Sequence, residues 1–373
     1  MEGGYFCRTA LASGEDVRTC AGELAERLVG GRPSGTVPVR LVFFTDAADG
    51  EAFRTVAERI GEVLSGKYPR QRPVWSLVAQ RPLSGGVPAR ALAAEVHYHA
   101  SPRRGAVRYG CFGKIPYVVF DDGERRELFL SVGPHNTWLP DCVPVQAEVV
   151  FGRVAEIMRR EGFPVDSIQR QWNYVEGITR ETHGCQHYQA LNDARSEFYA
   201  PVFWANGYPA ATGIGTVCGG ITVDVNAATG LASRAVDNPL QRAAHVYSEK
   251  VLRPGDRAVP TTPKFERARV VEYGGQSLCY VSGTAAIRRE ESLAGMDAVR
   301  QTEVTVGNIG QLTAQVSSGC RVRSARVYVK RAEDVPAVEE AVRAAYPEAD
   351  LLFLEADVCR PELLVEIEAL AFG

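Results

Sequence analysis

The feature that most constrains the fold is an order of strands and helices that recurs along the chain. In the last third, the strand-like segment QSLCYVSGTAAI precedes a helical pattern, and a strand, a second helix and two more strands follow, ending in LLVEIEALA. The helical pattern rests on four apolar residues at helical intervals: Val299, Val306, Ile309 and Leu312. The same order recurs from about residue 110 to 230 and, with a shortened first half, near the start of the chain. Because each sheet needs a covered face, this repetition predicts consecutive α+β units that pack on one another.

An acidic residue recurs within the repeated pattern. Aligning the last strands of the three units, AEVHY, VDVNA and VEIEA, brings Glu95, Asp224 and Glu366 to one position. Their spacing far exceeds the roughly 20 to 50 residues of a solenoid repeat, so we expect self-contained units around a pseudo-threefold axis. Chance similarity of three strands is the alternative. The predicted boundaries are 1–105 for a shortened, divergent unit, 106–235 for a second unit, 236–262 for a linker and 263–373 for the last unit.

Composition and charge argue against several classes of protein. The 42 basic and 45 acidic residues give a formal net charge of -3 without a long basic tract, which argues against a nucleic-acid partner. No basic segment followed by an apolar run opens the sequence, and no apolar stretch reaches the roughly 18 residues of a membrane span. We therefore expect a cytoplasmic protein that does not contact a membrane. Nine cysteines without a CxxC pair indicate reduced thiols rather than disulfides or a zinc site.

Two short patterns have both a ligand-binding and a structural interpretation. His97 and His99 would share one face of a strand, as a metal-binding pair could, but they match no metal-binding motif. Gly213 and Gly215 lack the strand-to-helix setting of a dinucleotide-binding loop. We therefore expect neither a metal nor a cofactor.

The last unit resembles the YjgF/RidA family, whose fold is also described as chorismate-mutase-like. The segments LCYVSGTAAI, AVRQTEVTVGNIGQL and LLVEIEALA are similar to that family's Ser-Gly strand, first helix and terminal strand, and TTPKFERARVV is similar to the segment that leads into it. Free-standing members form trimers with ligand sites between subunits. The resemblance implies a pseudo-trimer within one chain, with sites between its own units, and hence a monomer.

The middle of the sequence narrows this resemblance to the chorismatases. The segments QRQWNYVEGITRE, YQALNDARSEFY, YPAATGIG, VDNPLQ and CRPELLVEIEAL occur in that family's order over about 168 to 373. The resemblance implies that chorismate is the substrate, that its enolpyruvyl ether is cleaved, and that pyruvate and 3-hydroxybenzoate are released for secondary metabolism.

Three alternatives to this activity stay open. The first is hydrolysis of chorismate to 3,4-dihydroxycyclohexa-1,5-dienoate. The second is RidA-type imine deamination, although Leu351 stands near the position where such deaminases have an arginine. The third is a small-molecule sensor that uses the same clefts without catalysis.

The same resemblance implies that Glu366 is the catalytic acid. Glu366 and Glu368 alternate with apolar residues on the terminal strand, so both lie on one face of it, and two solvated glutamates are the alternative interpretation. To protonate the enolpyruvyl methylene carbon, Glu366 must hold a proton at neutral pH, which burial or nearby negative charge favours. We expect neutralisation of Glu368 to have only a mild effect.

Nine further residues are candidates for binding the substrate. They are Arg195, Tyr199, Tyr247, Phe265, Arg267, Gly283, Thr284, Ala285 and Cys359. The arginines and tyrosines would serve a dianionic substrate, and Arg195 and Tyr199 share a face of one helix. The glycine would let the backbone approach a ligand, or would merely relieve crowding in a strand. A surface or core role is the alternative for each residue.

Cys359 carries the expectation about the product. It lies seven residues before Glu366, and chorismatases that make 3-hydroxybenzoate resemble this chain in that spacing, with the cysteine lining the ring pocket. Ala285 or Ala286 stands where glycine would be expected in that subtype, which favours the hydrolytic product instead. We give precedence to the cysteine.

Overall fold

Three mixed β-sheets follow one another in the computed structural model, which describes residues 5–12, 14, 16–83, 92–100, 106–252 and 260–373. The first unit contains β1 (Tyr5–Ala12), α1 (Val17–Ala25), β2 (Thr36–Phe44), α2 (Gly50–Lys67), β3 (Val74–Val78) and β4 (Leu92–Ala100). Its strands lie in the order β1-β4-β2-β3. The predicted boundary at 105 and residues 253–259 of the predicted linker lie outside the described residues.

The second unit has a six-stranded sheet. Its elements are β5 (Ala106–Phe112), β6 (Ile115–Asp121), β7 (Arg126–Val132), α3 (Val143–Glu161), β8 (Ile168–Glu176), the short hairpin of β9 (Glu181–Thr182) and β10 (Cys185–Gln186), α4 (His187–Tyr199), β11 (Ala210–Thr216) and β12 (Ile221–Thr229). The strand order is β11-β8-β12-β7-β6-β5. In both units the last strand therefore lies inside the sheet, beside the strand that precedes the second helix.

The third unit repeats this arrangement. Its elements are β13 (Ser233–Val236), β14 (Ala268–Tyr273), β15 (Gln276–Ala285), the hairpin of β16 (Ile287–Arg288) and β17 (Glu291–Ser292), α5 (Ala298–Ala314), β18 (Arg321–Val329), α6 (Val335–Ala345), β19 (Asp350–Glu355) and β20 (Val365–Phe372). The order is β13-β14-β15-β20-β18-β19, so Ser233–Val236 is an edge strand of the third sheet. The predicted α+β class, with three consecutive units in one chain, is confirmed.

Each sheet is buried on both faces, for two different reasons. One face packs against the two helices of its own unit, through apolar clusters that contain Leu24 and Ile60, Val150 and Leu191, or Ile309 and Val338. The other face meets the other two sheets in shared clusters that draw residues from all three units. Because both faces are covered, polar strand residues such as Arg170, Asp224 and Arg326 are buried as well. Among the described helices, none has the length and apolarity needed to cross a membrane.

The strand register confirms the alignment of the three acidic residues. Glu95 lies opposite Val42, Asp224 opposite Trp172, and Glu366 opposite Tyr328, each on the last strand of its unit. Two residues before these partners stand three buried arginines: Arg40, Arg170 and Arg326. They lie opposite His97, Asn226 and Glu368, respectively. The pseudo-threefold symmetry therefore extends to individual side chains.

These arginines connect the units in a closed ring. Nη2 of Arg40 in the first unit lies 2.5 Å from Oδ2 of Asp224 in the second. Arg170 in the second unit pairs with Glu368 in the third, at 2.8 Å, and Arg326 in the third pairs with Glu95 in the first, with its Nε 2.8 Å from Oε2. Because an unpaired charge is costly inside a protein, these pairs favour one arrangement of the three units. We call the three contacts the 1–2, 2–3 and 3–1 joints.

Removing one arginine of this ring is expected to destabilise the fold strongly. Arg326→Met leaves Glu95 without its guanidinium partner in a buried site, which commonly costs about 3–5 kcal/mol of unfolding free energy. Arg323→Met is the matched control, because Arg323 lies on the same strand but pairs with Glu348 at the exposed surface, and it should change stability by about 0.5 kcal/mol or less. Denaturant unfolding measures both, and equal effects would contradict the assigned role of the ring.

Candidate active site

A cavity of about 260 Å³ lies between the second and third units, beside the 2–3 joint. The second unit contributes residues of α4 and β11, and the third contributes β15, β20 and the segments that precede β14 and β20. Its lining includes Tyr188, Asn192, Arg195, Ala211, Gly213, Tyr247, Phe265, Arg267, Gly283, Ala285, Cys359, Arg360 and Glu366. Eight of the ten residues predicted from the sequence are thus brought together around one space.

Glu366 enters this cavity because the opposite strand leaves room for it. A Cβ atom at position 283 would lie only 2.1 Å from Oε1 of Glu366, so a side chain there would displace the carboxyl group. The register between β15 and β20 shifts between Val281 and Thr284, which is a bulge at this glycine. The missing side chain of Gly283 therefore allows a close approach, as one of its two interpretations expected. The group that approaches is the Glu366 carboxyl of the chain itself, not a ligand.

The Glu366 carboxyl group is buried without a polar partner. Only 5% of the residue is exposed, and among the described residues neither of its oxygens has a hydrogen bond or an ion pair. Burial, followed by the negative charge of Glu368, raises the pKa of Glu366 to about 8, although Arg170 and Arg267 act in the opposite direction. Glu366 is therefore mostly protonated at neutral pH, as a general acid must be.

Two buried guanidinium groups in the cavity wall have no carboxylate partner among the described residues. Arg195 is 1% exposed and Arg267 is 3% exposed, and among the described residues neither forms an ion pair. Nη2 of Arg195 donates to Oδ1 of Asn192 at 2.6 Å, and within the described part of the chain the Nε atoms of both arginines have no hydrogen-bond partner. Since buried cations are normally paired, this wall has an unmet capacity for anionic groups.

Aromatic rings hold Arg267 in place. Its Nη2 donates to the backbone oxygen of Arg242 at 2.8 Å and to the hydroxyl of Tyr247, and its Cζ lies 5.5 Å from the ring centres of both Tyr247 and Phe265. Cζ of Arg360 lies 5.4 Å from the same tyrosine ring. Tyr247 therefore orders two arginines at one side of the cavity.

Cys359 and Tyr188 form a less polar part of the wall. Burial, followed by the charge of Glu366, raises the pKa of the Cys359 thiol to about 12, so it stays protonated and is a poor nucleophile. Tyr188 lies over Gly213, where a Cβ atom would be 2.7 Å from its Cε2. Gly213 therefore accommodates the tyrosine ring, which agrees with the structural interpretation of that glycine pattern.

Two predicted binding residues, Tyr199 and Thr284, do not line the cavity. Tyr199 lies one turn beyond Arg195, in the core of the second unit, and its hydroxyl donates to Oε1 of Gln171 at 2.6 Å. Thr284 points to the opposite face of β15 from Gly283 and Ala285, and its hydroxyl donates to the Ser282 backbone oxygen. A shared helix face with Arg195 therefore did not place Tyr199 in the cavity wall. Adjacency to Gly283 did not place Thr284 there either.

Several lining residues were missed from the sequence. Tyr188 and Asn192 precede Arg195 by seven and three residues on α4, which places all three on one helix face. Arg360 directly follows Cys359, and its Nη1 donates to the Glu290 backbone oxygen at 2.8 Å. The helical spacing could have identified the first two, whereas the position of Arg360 depends on the fold of a loop.

The two histidines considered as metal ligands belong to separate hydrogen-bonded groups. His97 bonds to Glu95 and to the Tyr5 hydroxyl, and His99 lies 2.7 Å from Oε1 of Glu127. Cys7, Glu95 and His97 are close enough to share an ion, but Glu95 already binds the Arg326 guanidinium. Burial lowers the pKa of His97 to about 4, so its ring is neutral at pH 7. The ring hydrogen-bonds to Glu95, the carboxylate of the 3–1 joint.

Comparison with known proteins gives concordant results. The family model "Chorismatase FkbO/Hyg5-like, N-terminal" matches residues 120–227. A 3-hydroxybenzoate synthase from Streptomyces hygroscopicus is 36% identical over 227 residues, which cover 56% of this chain and 64% of that protein. A chorismatase from Streptomyces rapamycinicus is 31% identical over 238 residues, which cover 59% of this chain and 67% of that protein. The chain thus matches about two thirds of the length of these relatives.

A solved structure extends the similarity in fold to the whole chain. The crystal structure of a chorismatase at 1.08 Å resolution superposes with a TM-score of 0.71 and 24% identity, covering 99% of this chain and 98% of the other. The sequence matches, the shared fold and the predicted motifs agree, and the chain belongs to the chorismatase family.

Proposed function

We propose that this protein cleaves the enolpyruvyl ether of chorismate and releases pyruvate, with Glu366 as the proton donor. The observation that carries the proposal is that one cavity holds both a buried protonated carboxyl group and two buried guanidinium groups that have no carboxylate partner among the described residues. Chorismate carries two carboxylates and an acid-sensitive ether, so it matches both requirements.

Protonation is the first chemical step. The terminal methylene carbon of the enolpyruvyl group becomes basic as the ether oxygen donates electron density, and Glu366 transfers its proton to that carbon. The product is an oxocarbenium ion beside a newly formed carboxylate. That negative charge stabilises the cation at short range in a site that is largely closed to water.

Arg195 and Arg267 bind the substrate and take no part in proton transfer. Arg195 and Arg267 lie on opposite units, so a dianion that contacts both would bridge the cavity. Charge-assisted hydrogen bonds to the two substrate carboxylates would use the unpartnered Nε atoms as well as the terminal nitrogens. Bound in this way, the substrate would bring its enolpyruvyl group to a defined position relative to Glu366.

The fate of the oxocarbenium ion determines the product. Attack by the substrate's own ring hydroxyl, followed by elimination, gives 3-hydroxybenzoate and pyruvate and consumes no water. Attack by water gives pyruvate and 3,4-dihydroxycyclohexa-1,5-dienoate. The protonated Cys359 thiol narrows and dries the cavity beside Glu366, which favours the intramolecular route. We therefore propose 3-hydroxybenzoate as the main product.

Glu366→Gln is expected to abolish turnover while preserving binding. The amide keeps the shape of the side chain but has no proton of suitable acidity, and loss of a positioned acid commonly slows a reaction about 100-fold to 10,000-fold. Pyruvate release from chorismate measures turnover, and calorimetric titration measures binding. Glu348→Gln is the matched control, because Glu348 pairs with Arg323 at the exposed surface and does not line the cavity, so turnover should stay at the wild-type level.

Two results would contradict this proposal. A Glu366→Gln variant that keeps more than about a tenth of wild-type turnover would exclude Glu366 as the acid. Wild-type protein that releases no pyruvate, and instead turns over an imine or only binds chorismate, would exclude the reaction itself.

The pH profile should reflect the proton on Glu366. Because its pKa is raised to about 8, the acid form is present below that pH and is lost above it. We expect kcat/KM for chorismate to fall about tenfold per pH unit above this value, since that ratio reports ionisations of the free enzyme. A profile that already falls between pH 5 and 7 would indicate a carboxyl group with an ordinary pKa.

Cys359→Ala should change the product rather than the rate of ether cleavage. The smaller side chain opens space for water beside the oxocarbenium ion, so the ratio of the diol to 3-hydroxybenzoate should rise. Chromatography of the products measures this ratio. Reaction in oxygen-18 water, with pyruvate reduced at once to lactate to prevent exchange, checks the route: attack by water labels the pyruvate carbonyl oxygen, whereas the intramolecular path takes that oxygen from the ring hydroxyl. An unchanged ratio, or a wild-type enzyme that makes mainly the diol, would contradict the assigned subtype.

A further inference from the structure

The three joints differ in which acidic residue binds the arginine. At the 1–2 joint Arg40 pairs with Asp224, and at the 3–1 joint Arg326 pairs with Glu95. Both acids occupy the strand position that corresponds to Glu366. By pseudosymmetry, Arg170 would therefore pair with Glu366 at the 2–3 joint.

Arg170 instead pairs with the residue two positions further along β20. Its Nη2 lies 2.8 Å from Oε2 of Glu368 and 2.6 Å from the hydroxyl oxygen of Thr212, while its Nη1 has no hydrogen-bond partner among the residues that the structure describes. The positions equivalent to Glu368 in the other units hold His97 and Asn226, neither of which is a carboxylate. A second acid at this position distinguishes the 2–3 joint from the other two.

Residues of the second unit and of its own third unit hold Glu368 in place. Its Oε1 accepts a hydrogen bond from Nε1 of Trp172 at 3.0 Å and lies 3.1 Å from Nη1 of Arg326. Only 5% of Glu368 is exposed. Glu368 is therefore a buried ion-pair partner, which rules out the solvated alternative for it. The mild effect expected from its neutralisation stays a prediction, and the inference below predicts a larger effect.

We propose that Glu368 is a positioning residue: it holds the Arg170 guanidinium on its own carboxylate and so leaves the Glu366 carboxyl group without a cationic partner. The inference rests on the proposed function of Glu366 as an acid. Without Glu368, Arg170 would have in Glu366 the carboxylate that its counterparts bind at the other two joints. That ion pair would favour the ionised form of Glu366, which has no proton to give.

Other charged and titratable groups surround Glu366 on every side, and the experiment must separate them from Arg170. They are Tyr188 and Arg195 from α4, Tyr328 and Arg326 from β18, Arg267 before β14, Tyr247 and Lys250 after β13, Glu291 from β17, and Cys359, Arg360 and Glu362 before β20. None of these groups is altered in the variants below.

The test measures the protonation of Glu366 directly. Infrared spectra of the full chain, recorded against Glu366→Gln over a range of pH, give the protonated carboxyl band of this one residue. In Glu368→Gln we expect the band to be lost at a pH lower than in the wild type by about one to three pH units, as for a carboxyl group beside an arginine. Chorismate turnover near pH 8 should fall about fivefold to several hundredfold by the same cause.

Removal of the arginine should reverse the effect. Arg170→Gln alone should leave the band at the wild-type pH or move it higher, and the double variant Glu368→Gln with Arg170→Gln should restore the band and the upper limit of the pH profile. A merely structural role for Glu368 predicts that the Glu366 band titrates at the wild-type pH in every variant that folds. Asp224→Asn is the control for the loss of a buried ion pair, since it removes the carboxylate partner of Arg40 at another joint and should leave the Glu366 band at the wild-type pH.

The outcomes separate this proposal from the proposed function. An unchanged titration of Glu366 in Glu368→Gln would overturn the positioning role even if the enzyme cleaves chorismate. Failure of the wild type to release pyruvate would refute the function and leave the spectroscopic result intact. Should Glu368→Gln fail to fold, the double variant Glu368→Gln with Arg170→Gln decides, because it leaves no unpaired charge of this pair; a band lost at lower pH than in the wild type would contradict the proposal.

Discussion

The ring of arginine–carboxylate pairs is the interaction on which the arrangement of the three units depends. Apolar contacts between sheets are not directional, whereas a buried guanidinium accepts few positions for its partner. Arg40, Arg170 and Arg326 each reach the last strand of the following unit, so a shift of one unit would leave a charge unpaired in the interior. The geometry of the cavity is a consequence of this fixed arrangement.

The repeat, the fold class and the three aligned acids could be predicted because they depend on local patterns. Strand alternation and helical periodicity are properties of single segments, and the last strands share a pattern that any correct register must preserve. Glu366 stood out for the same reason. Gly283 was a candidate from the sequence, but the sequence does not show why glycine is needed there. In the structure, an oxygen of Glu366 occupies the space that a side chain at position 283 would fill.

The failures concern features that depend on contacts between units. Tyr199 shares a helix with Arg195, but the second unit's own core encloses it, while the cavity meets only the first turns of that helix. Glu368 lies on the same face of β20 as Glu366, yet it forms an ion pair with Arg170 and a hydrogen bond with Trp172, both from another unit. Arg170 and Glu368 are 198 residues apart in the sequence, so local patterns predict neither their ion pair nor its effect on Glu366.

Fusion of the three units into one chain has a consequence for evolution. In a homotrimer, a second acid that binds the arginine in place of the aligned acid appears at all three joints and leaves three buried carboxyl groups without a cationic partner together. In this chain each joint has its own sequence, so two can keep the direct pairing of arginine with the aligned acid while the third diverges. Gene fusion thus allows an asymmetric change whose cost in stability is limited to one joint.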